Sequence, residues 1–425
     1  MSINNNTSAP ETCMDDFDPN SLTLDKAWQR IDQNLSVLKE TQSLTIREGL
    51  DHVLAQDVTS PIDVPSYTNS AMDGYAIRAA DLAANNDKRF KVVATIMAGA
   101  PVDRELQSDE CMRIMTGAKM PPGADTVVMQ EHVTRHDDTI VIGRDVQPGQ
   151  NVRQAGEDIQ RGGTVLQRGR RLTSADIGLL ASLGIAQVVT YRPVRVAFFS
   201  TGDELVSLGE ELKEGQIYDS NRYTLFAMLQ RFGATLIDMG VIRDDPQSIE
   251  EAFRTAAQQA DVLITTGGVS VGDADYVKDT LEKLGQIDFW KIAMKPGRPL
   301  AFGTLQENSC VFFGLPGNPV STMVTYYLLV LPALRKMQGE TTVPVTKLQA
   351  TCITPLRKLA GRVEYQRGFM EQSQDGELTV RSVGGQGSHI LSSMSKANCF
   401  IVLPLECANV EPNTTVTVLP FAGLI

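Results

Sequence analysis

The chain has 425 residues, of which 42% are hydrophobic and 21% charged. At roughly 100–200 residues per domain it holds two to four domains, large enough to bury cores without disulfides or structural metals. Its formal net charge of −12 argues against the broad basic footprint that nucleic-acid phosphates or an anionic membrane surface require. A small anion can still be held by a few lysines and backbone amides.

Residues 1–20 are polar and acidic, with no basic start and no apolar stretch. They read as a disordered tail and not as a signal peptide. Leu24, Ala27, Trp28, Ile31, Leu35 and Leu38 recur at helical spacing, which predicts one amphipathic helix over 24–39. From 60 to 149 short apolar runs alternate with turn pairs such as Pro121-Pro122-Gly123 and Pro148-Gly149, the texture of an irregular β-rich region. His132 and His136 have metal-like spacing there, but the segment EHVTRH reads as a strand end and turn, so a solvated surface pair is expected. A Gly/Arg-rich, turn-rich stretch begins at Gly156, and Thr173 or Ser174 caps a helix ending at Gly184.

Beyond Arg195 strands and helices alternate. Strands are expected at 196–200, 235–241, 262–265 and 311–313, with an extended segment at 289–294. Helices are expected at 222–232 (stopped by Gly233), after Asp245-Pro246, at 276–284 and at 320–334. This order predicts an open α/β sheet of mainly parallel strands. The run 326–334 is the most apolar, but Pro332 breaks it and it is far short of the ~20 residues of a membrane span. From about 346 helical periodicity disappears, and short alternating segments at 378–380, 399–402 and 415–419 suggest a small β barrel or sandwich. The six cysteines, Cys13, Cys111, Cys310, Cys352, Cys399 and Cys407, are scattered without a CxxC pair, which reads as reduced thiols in a cytoplasm.

Ligands of open α/β sheets bind beyond the carboxyl ends of the strands. Three loops leave such ends: STGDE from Ser200, TTGGVSVGDAD from Thr265 and GLPGNPVS from Gly314. The pair Gly267-Gly268 with Ser270, and Gly317-Asn318 ahead of a helix, let backbone amides approach an oxyanion. The plain alternative is a pair of tight turns, and on these residues alone the two readings are balanced. Glu204, Asp273 and Asp275 follow strand ends, as do Asp244 and Asp245. Acids beside a phosphate cradle make sense if Mg²⁺ joins them to the ligand. Helix capping is the plain alternative for Asp245 and Asp275. Lys291 and Lys295 are four residues apart, which on a strand puts both on one face, with Arg298 in the following turn. An oxyanion ligand, or an edge facing solvent, accounts for two such cations. The loops around Asp73 (NSAMDGYA) and Thr116 (RIMTGA) do not stand out on their own.

The motifs NSAMDGYA, RIMTGA, FSTGDEL, GQIYDSN, IRDDP, TTGGVSVGDADY, AMKPGRP and GLPGNPVS occur in this order, followed by QGSHILSSM and NCFIVL. Together they resemble the MoeA family, which includes the gephyrin E domain, over about Leu22 to Phe421. TTGGVS also differs from the TTGGTG of the related molybdopterin adenylyltransferases, which consist of the α/β domain alone. The fold class expected is α/β and multidomain. A central open α/β sheet domain, molybdopterin-binding and similar to MogA and MoaB, is flanked by β-rich N-terminal domains and a C-terminal β-barrel-like domain. The divisions are a tail at 1–20, a β-rich region at 21–190 in two subdomains (about 21–150 and 150–190, with the helix 24–39 set against the second), the α/β domain at 191–340 and a β domain at 345–425.

The resemblance implies a cytoplasmic, L-shaped homodimer that acts as a molybdopterin molybdenumtransferase. Adenylylated molybdopterin meets molybdate, the phosphoanhydride is cleaved, AMP leaves, and molybdenum stays on the dithiolene sulfurs. Matched residue by residue, the active-site set is Asp73, Thr116, Glu204, Asp244, Asp275, Lys291 and Lys295. Glu204, Asp244 and Asp275 would hold Mg²⁺, and Lys291 and Lys295 would neutralise molybdate or phosphate. Gly267, Gly268, Ser270, Gly317 and Asn318 would cradle pterin or nucleotide phosphate, with Arg367 and Ser388 as further ligands for the pterin phosphate. Asp73 and Thr116 would reach the site from the other subunit. Transient contacts with the molybdopterin adenylyltransferase and with molybdoenzyme maturation proteins are implied; a nucleic acid or membrane partner is not. No nucleophilic side chain is needed, since molybdate oxygen or water attacks a positioned phosphoanhydride. Two rivals are an adenylyltransferase, which requires ATP turnover and leaves the flanking domains unexplained, and a scaffold without catalysis, which has no use for the acid–lysine set.

Overall fold

The computed structural model describes residues 21–84, 89–143, 145–267, 280, 283–305, 309–342 and 344–421. These fall into two compact units, one of residues 43–50 and 54–189, the other of the described residues of 1–42, 51–53 and 190–425.

Helix α1 (Leu24–Gln33) starts at Thr23, whose hydroxyl accepts from the Lys26 N–H. It is shorter than the apolar spacing predicts, because Asn34 ends it and donates its side-chain N–H to the Arg30 carbonyl. Leu35 and Leu38 still reach the same core, from irregular chain that is tied back by Leu38 N–H to the Met337 carbonyl. Ala27 and Ile31 are fully buried in a cluster with Val194, Leu229, Met294, Leu334 and Phe400. The helix therefore packs in the core of the second unit, whereas residues 150–189, on which it was expected to pack, belong to the first.

The first unit is built on a mixed sheet of β1 (Gly74–Ile77), β2 (Arg89–Ile96), β3 (Glu110–Ile114), β4 (Thr126–Met129), β5 (Val133–His136) and β6 (Thr139–Ile142). The order is β4-β1-β3-β2-β6-β5, and only β2 and β3 run parallel. Alternation along the strands fills a core on each face: Ala76, Met112, Ile114 and Val127 on one, Tyr75, Ile77, Cys111 and Val128 on the other. Gly74 lies opposite Met129, and a Cβ there would stand 2.0 Å from the Val128 carbonyl oxygen. Only hydrogen fits, so this glycine lets β1 begin immediately after Asp73. His136 is exposed at the end of β5. Further along, α2 (Ser174–Ser182) opens on a full capping box between Thr173 and Asp176.

The second unit contains the α/β sheet. Its elements are β7 (Arg195–Thr201), α3 (Ser220–Phe232), β8 (Thr235–Ile242), α4 (Pro246–Gln259), β9 (Val262–Thr266), β10 (Gly285–Lys291), β12 (Pro299–Leu305) and β13 (Val311–Leu315), with the short strand β11 (Met294–Lys295) standing outside this sheet. The strand order is β8-β7-β9-β13-β12-β10. The first four are parallel, and β12 runs antiparallel to both β13 and β10. Every residue of β9 and β13 is buried, as expected of strands covered on both faces. Phe198, Ile264 and Phe313 fill one face and Phe199, Leu263 and Phe312 the other. Asp219 caps α3 and Gly233 ends it in the left-handed region, while Asp245 caps α4 ahead of Pro246.

Two expectations are corrected here. The segment 289–294 is not one extended run: β10 stops at Lys291, and β11 leaves the α/β sheet to pair with the C-terminal domain. Lys291 and Lys295 therefore do not share a strand face. The helix predicted over 320–334 is three pieces: α5 (Pro319–Thr325), a π turn at Tyr326–Val330 and α6 (Leu331–Met337). Pro332 has no N–H to give to the preceding turn, and the Leu331 N–H donates five residues back to Tyr326. Of the helix expected over 276–284, only Thr280, Lys283 and Leu284 lie among the described residues, and they are helical.

The C-terminal domain is a barrel and not a sandwich. Strands β14 (Leu348–Cys352), β15 (Val363–Gln372), β16 (Leu378–Ser382), β17 (Cys399–Leu403) and β18 (Thr414–Pro420) close in the order β15-β16-β14-β18-β17 and back to β15. β11 runs beside β15, Lys295 opposite Glu364. Tyr365, Phe400 and Leu419 join the same core as α5 and α6.

Candidate active site

Register brings three loops together at the carboxyl ends of adjacent strands. Ser200 on β7 lies opposite Thr266 on β9, and Thr266 opposite Leu315 on β13, so the chain leaves all three at one level. The Ser200 and Thr266 hydroxyls share a buried hydrogen bond of 2.8 Å. Gly267 follows with φ +88°, and a Cβ there would lie 2.7 Å from the Thr201 carbonyl oxygen. The Gly267 Cα in turn lies 3.9 Å from where a Cβ on Gly317 would stand. Two glycines thus line the junction of β9 and β13 with bare backbone.

The third loop is braced on both sides. The Thr322 hydroxyl donates to the Pro316 carbonyl at 2.6 Å, and the Asn221 amide in the first turn of α3 donates to the Gly317 carbonyl at 2.7 Å. Asn318 starts α5 without a side-chain cap, and the Val320 N–H in its first turn donates to the Ser388 carbonyl at 3.0 Å. The motif GQIYDSN contains Asp219 and Asn221, yet neither stands out from sequence. Their signal is an Asp-Ser-Asn ahead of a helix, and that pattern equally describes an ordinary cap.

Acids occupy the β7–β8 side. Thr201 pairs with Ile242, which brings the chain carrying Glu204 beside the one carrying Asp244. The Glu204 carboxylate folds over Gly202, 2.6 Å from where a Cβ would stand. The Asp244 carboxyl is raised above the ordinary range, first by local burial and then by the negative charges of Asp203, Glu204 and Asp245. Asp245 differs from its neighbour: its carboxylate accepts from the Gln247 and Ser248 N–H groups at the start of α4, which holds its pKa down. It is a helix cap. Among the described residues no three acidic, imidazole or thiol groups stand close enough to hold a metal by themselves, and this applies to His132 and His136 too. Gly268, Ser270, Asp273 and Asp275 lie outside the described residues.

Bases occupy the other side. β10 runs in the same direction as β13, so Lys291, at its end, emerges at the same edge of the sheet as the glycines. Lys295 on β11 stands 3.4 Å from Glu364 on β15. Arg367 is 1% exposed, and its guanidinium donates to the Ser393 hydroxyl and to the Gly385 and Gly387 carbonyls. It fixes the loop that carries Ser388. In the first unit, the Thr116 N–H and hydroxyl both donate to one Asp73 carboxylate oxygen at 2.7 Å, and these bonds, with Arg113 nearby, hold that carboxyl below its usual range. Asp73 and Thr116 thus form a hydrogen-bonded pair within the first unit.

Three family descriptions match along the chain: "MoeA N-terminal region (domain I and II)" over 22–184, "Probable molybdopterin binding domain" over 197–336, and "MoeA C-terminal region (domain IV)" over 349–421. A molybdopterin molybdenumtransferase of Haemophilus influenzae is 46% identical over 406 residues, 95% of this chain and 100% of that protein. The chain belongs to the MoeA family. A second MoeA relative, a molybdopterin molybdenumtransferase of a Nostoc species, is 37% identical over 90% of this chain and 89% of its own length. The crystal structure of a MoeA protein of molybdopterin biosynthesis from Pyrococcus horikoshii OT3 superposes with a TM-score of 0.82 at 29% identity, covering 94% of this chain and 100% of that one. The three strand-end loops fall in the molybdopterin-binding match, Asp73 and Thr116 in the N-terminal match, and Arg367 and Ser388 in the C-terminal match.

Proposed function

We propose that this MoeA chain is a molybdopterin molybdenumtransferase: it binds adenylylated molybdopterin and molybdate, the phosphoanhydride breaks, AMP leaves, and molybdenum remains on the dithiolene sulfurs. One observation carries the reading. Along a single edge of the α/β sheet, carboxylates follow β8 and β7, bare glycine backbone follows β9 and β13, and Lys291 ends β10. A phosphate-bearing substrate suits the middle and an oxyanion suits the basic side.

The acidic side suits Mg²⁺. Glu204 and Asp244 offer hard oxygen donors, and the raised Asp244 carboxyl marks an excess of negative charge that a divalent cation would relieve. With no group of three among the described residues, Asp275 or a substrate phosphate would complete the coordination. When bound, Mg²⁺ would neutralise charge on the phosphoanhydride.

The chain's own residues position and neutralise. Lys291 and Lys295 attract the oxyanion, the loops of Gly267 and Gly317 approach phosphate closely, and Arg367 holds the Ser388 loop against the start of α5. Asp73 and Thr116 are assigned to the active site of a second subunit in a homodimer, with their mutual hydrogen bonds keeping Asp73 ionised. The same reading places the enzyme in the cytoplasm, exchanging substrate and product transiently with the molybdopterin adenylyltransferase and with molybdoenzyme maturation proteins.

The test is AMP release from adenylylated molybdopterin by wild type, Lys295→Ala and Asp244→Ala, with and without molybdate. Molybdate-dependent release that falls about 10²-fold in both variants supports the reading. Release that requires ATP turnover, or that survives both substitutions, overturns it.

A further inference from the structure

Lys295 does not face its site alone. The register of β11 on β15 sets Glu364 directly beside it, and Nζ stands 3.4 Å from Oε1. Glu364 is 5% exposed, a burial that a carboxylate tolerates only with hydrogen bonds and counter-charges. Its other oxygen, Oε2, accepts from the Gln366 amide at 2.9 Å, and that amide is itself anchored by donating to the Arg357 carbonyl at 2.9 Å. One carboxylate oxygen is thus tied to the barrel wall, and the other is presented to Lys295.

Two further cations sit near this carboxylate, and both are immobilised. Lys358 is 4% exposed and donates to the carbonyls of Leu359, Leu405 and Cys407. Burial pulls its ammonium down, and Glu364 is the leading charge that opposes the pull. Arg367 is locked by Ser393 and two carbonyls; burial depresses it to about 10, and Glu364 again counters this. Lys295 differs from both: its side chain is 36% exposed. Three cations face Glu364, with Glu406 as a second acid beside Lys358, and Lys295 is the cation of the set exposed enough to meet a ligand.

We infer that Glu364 is a positioning residue for Lys295, an internal counter-ion that holds the ammonium in one orientation until an oxyanion substrate displaces the carboxylate as its partner. The inference rests on the molybdenum-transfer reading for the identity of the oxyanion. Lys358 and Arg367 remain as counter-charges to Glu364 when Lys295 turns to the ligand. Gln366 keeps it from following.

The consequence is a split between the two kinetic constants. Glu364→Gln keeps the shape and the hydrogen bond to Gln366 but removes the charge. Molybdate should bind more tightly, because a competing anion is gone, and KM for molybdate should fall about threefold. The unanchored ammonium should lower kcat about tenfold. In the Lys295→Ala background both effects should vanish, because Glu364 acts through Lys295. Glu364→Asp keeps the charge and withdraws it by one methylene, so it should leave KM near wild type and lower kcat. It also serves if the glutamine variant fails to fold.

The experiment is the double-mutant cycle in AMP release as molybdate is varied, together with the NMR signal of isotope-labelled Lys295, identified by its loss in Lys295→Ala. A KM–kcat split that disappears without Lys295, with a Lys295 signal shifted in Glu364→Gln and moved in wild type by molybdate alone, supports the inference. Equal effects of Glu364→Gln in both backgrounds, or a Lys295 signal indifferent to residue 364, overturns it. If wild type releases no AMP, the molybdenum-transfer reading fails, and the Lys295 signal still decides whether Glu364 positions the lysine.

Discussion

At the scale of single residues, neighbouring acids have opposite fates. Asp245 gives its charge to the amides of α4, whereas Asp244 next to it makes no such bond among the described residues and lies in the field of Asp203 and Glu204. That unrelieved charge is what the proposed role of Asp244 in holding a cation would use. A folded carboxyl raised above its unfolded value contributes stability below the unfolded pKa of 3.8 and loses it as pH rises through the raised value. At neutral pH the contribution of Asp244 is consequently unfavourable. Asp244→Asn should melt no lower than wild type at pH 7, with the difference closing in acid, while AMP release falls about 10²-fold. A lower melting temperature at pH 7 would mean that Asp244 makes a stabilising contact instead. The sequence marks Asp245, ahead of Pro246, as the helix cap, and the structure bears this out. What the sequence does not show is that Asp244 lies in the field of Asp203 and Glu204, because that depends on β7 and β8 being neighbours.

At the scale of elements, β7, β9 and β13 were legible because they are buried on both faces and read as unbroken apolar runs, whereas β12, which returns antiparallel between β13 and β10, was not read as a strand. β15 was not legible. Its sequence VEYQRGFMEQ places Glu364, Gln366 and Arg367 in the wall of the barrel, and their burial depends on partners far along the chain. The separation of Lys291 from Lys295 was hidden for the same reason: β11 is a strand only because β15 runs beside it. The glycine loops lie between these cases. Sequence shows that Gly267 and Gly317 follow strands, but not that they face each other. Gly267→Ala tests that closeness. A residue with φ +88° and a Cβ 2.7 Å from the Thr201 carbonyl costs about 1–3 kcal/mol. The urea midpoint should drop accordingly, and AMP release should fall more than tenfold because the phosphate-facing backbone shifts. An alanine variant with wild-type activity would remove Gly267 from the site.

At the scale of the whole molecule, the site residues divide between the two units, with Asp73 and Thr116 in one and the lysines, glycines and remaining acids in the other. In the proposed homodimer, a chain carrying Asp73→Ala and a chain carrying Lys295→Ala are each inactive alone but restore one intact site when paired. Random mixing after unfolding and refolding should recover about a quarter of wild-type activity. No recovery, with mixed dimers demonstrated by mass, would place Asp73 and Lys295 of one chain in the same site. The chain path has another consequence. Helix α1 is held by contacts made very late in sequence: Lys336 donates to the Asp32 carbonyl across 304 residues, and the partners of Ala27 and Ile31 include Met294, Leu334 and Phe400. On the ribosome, at about 5–20 residues per second, this amphipathic helix emerges tens of seconds before the surface that receives it. The 43–189 unit has the time to complete its own sheet first. An apolar face made early in this stretch of chain waits for a surface made 304 residues later, which makes residues 24–38 the natural place for a chaperone to hold the unfinished chain.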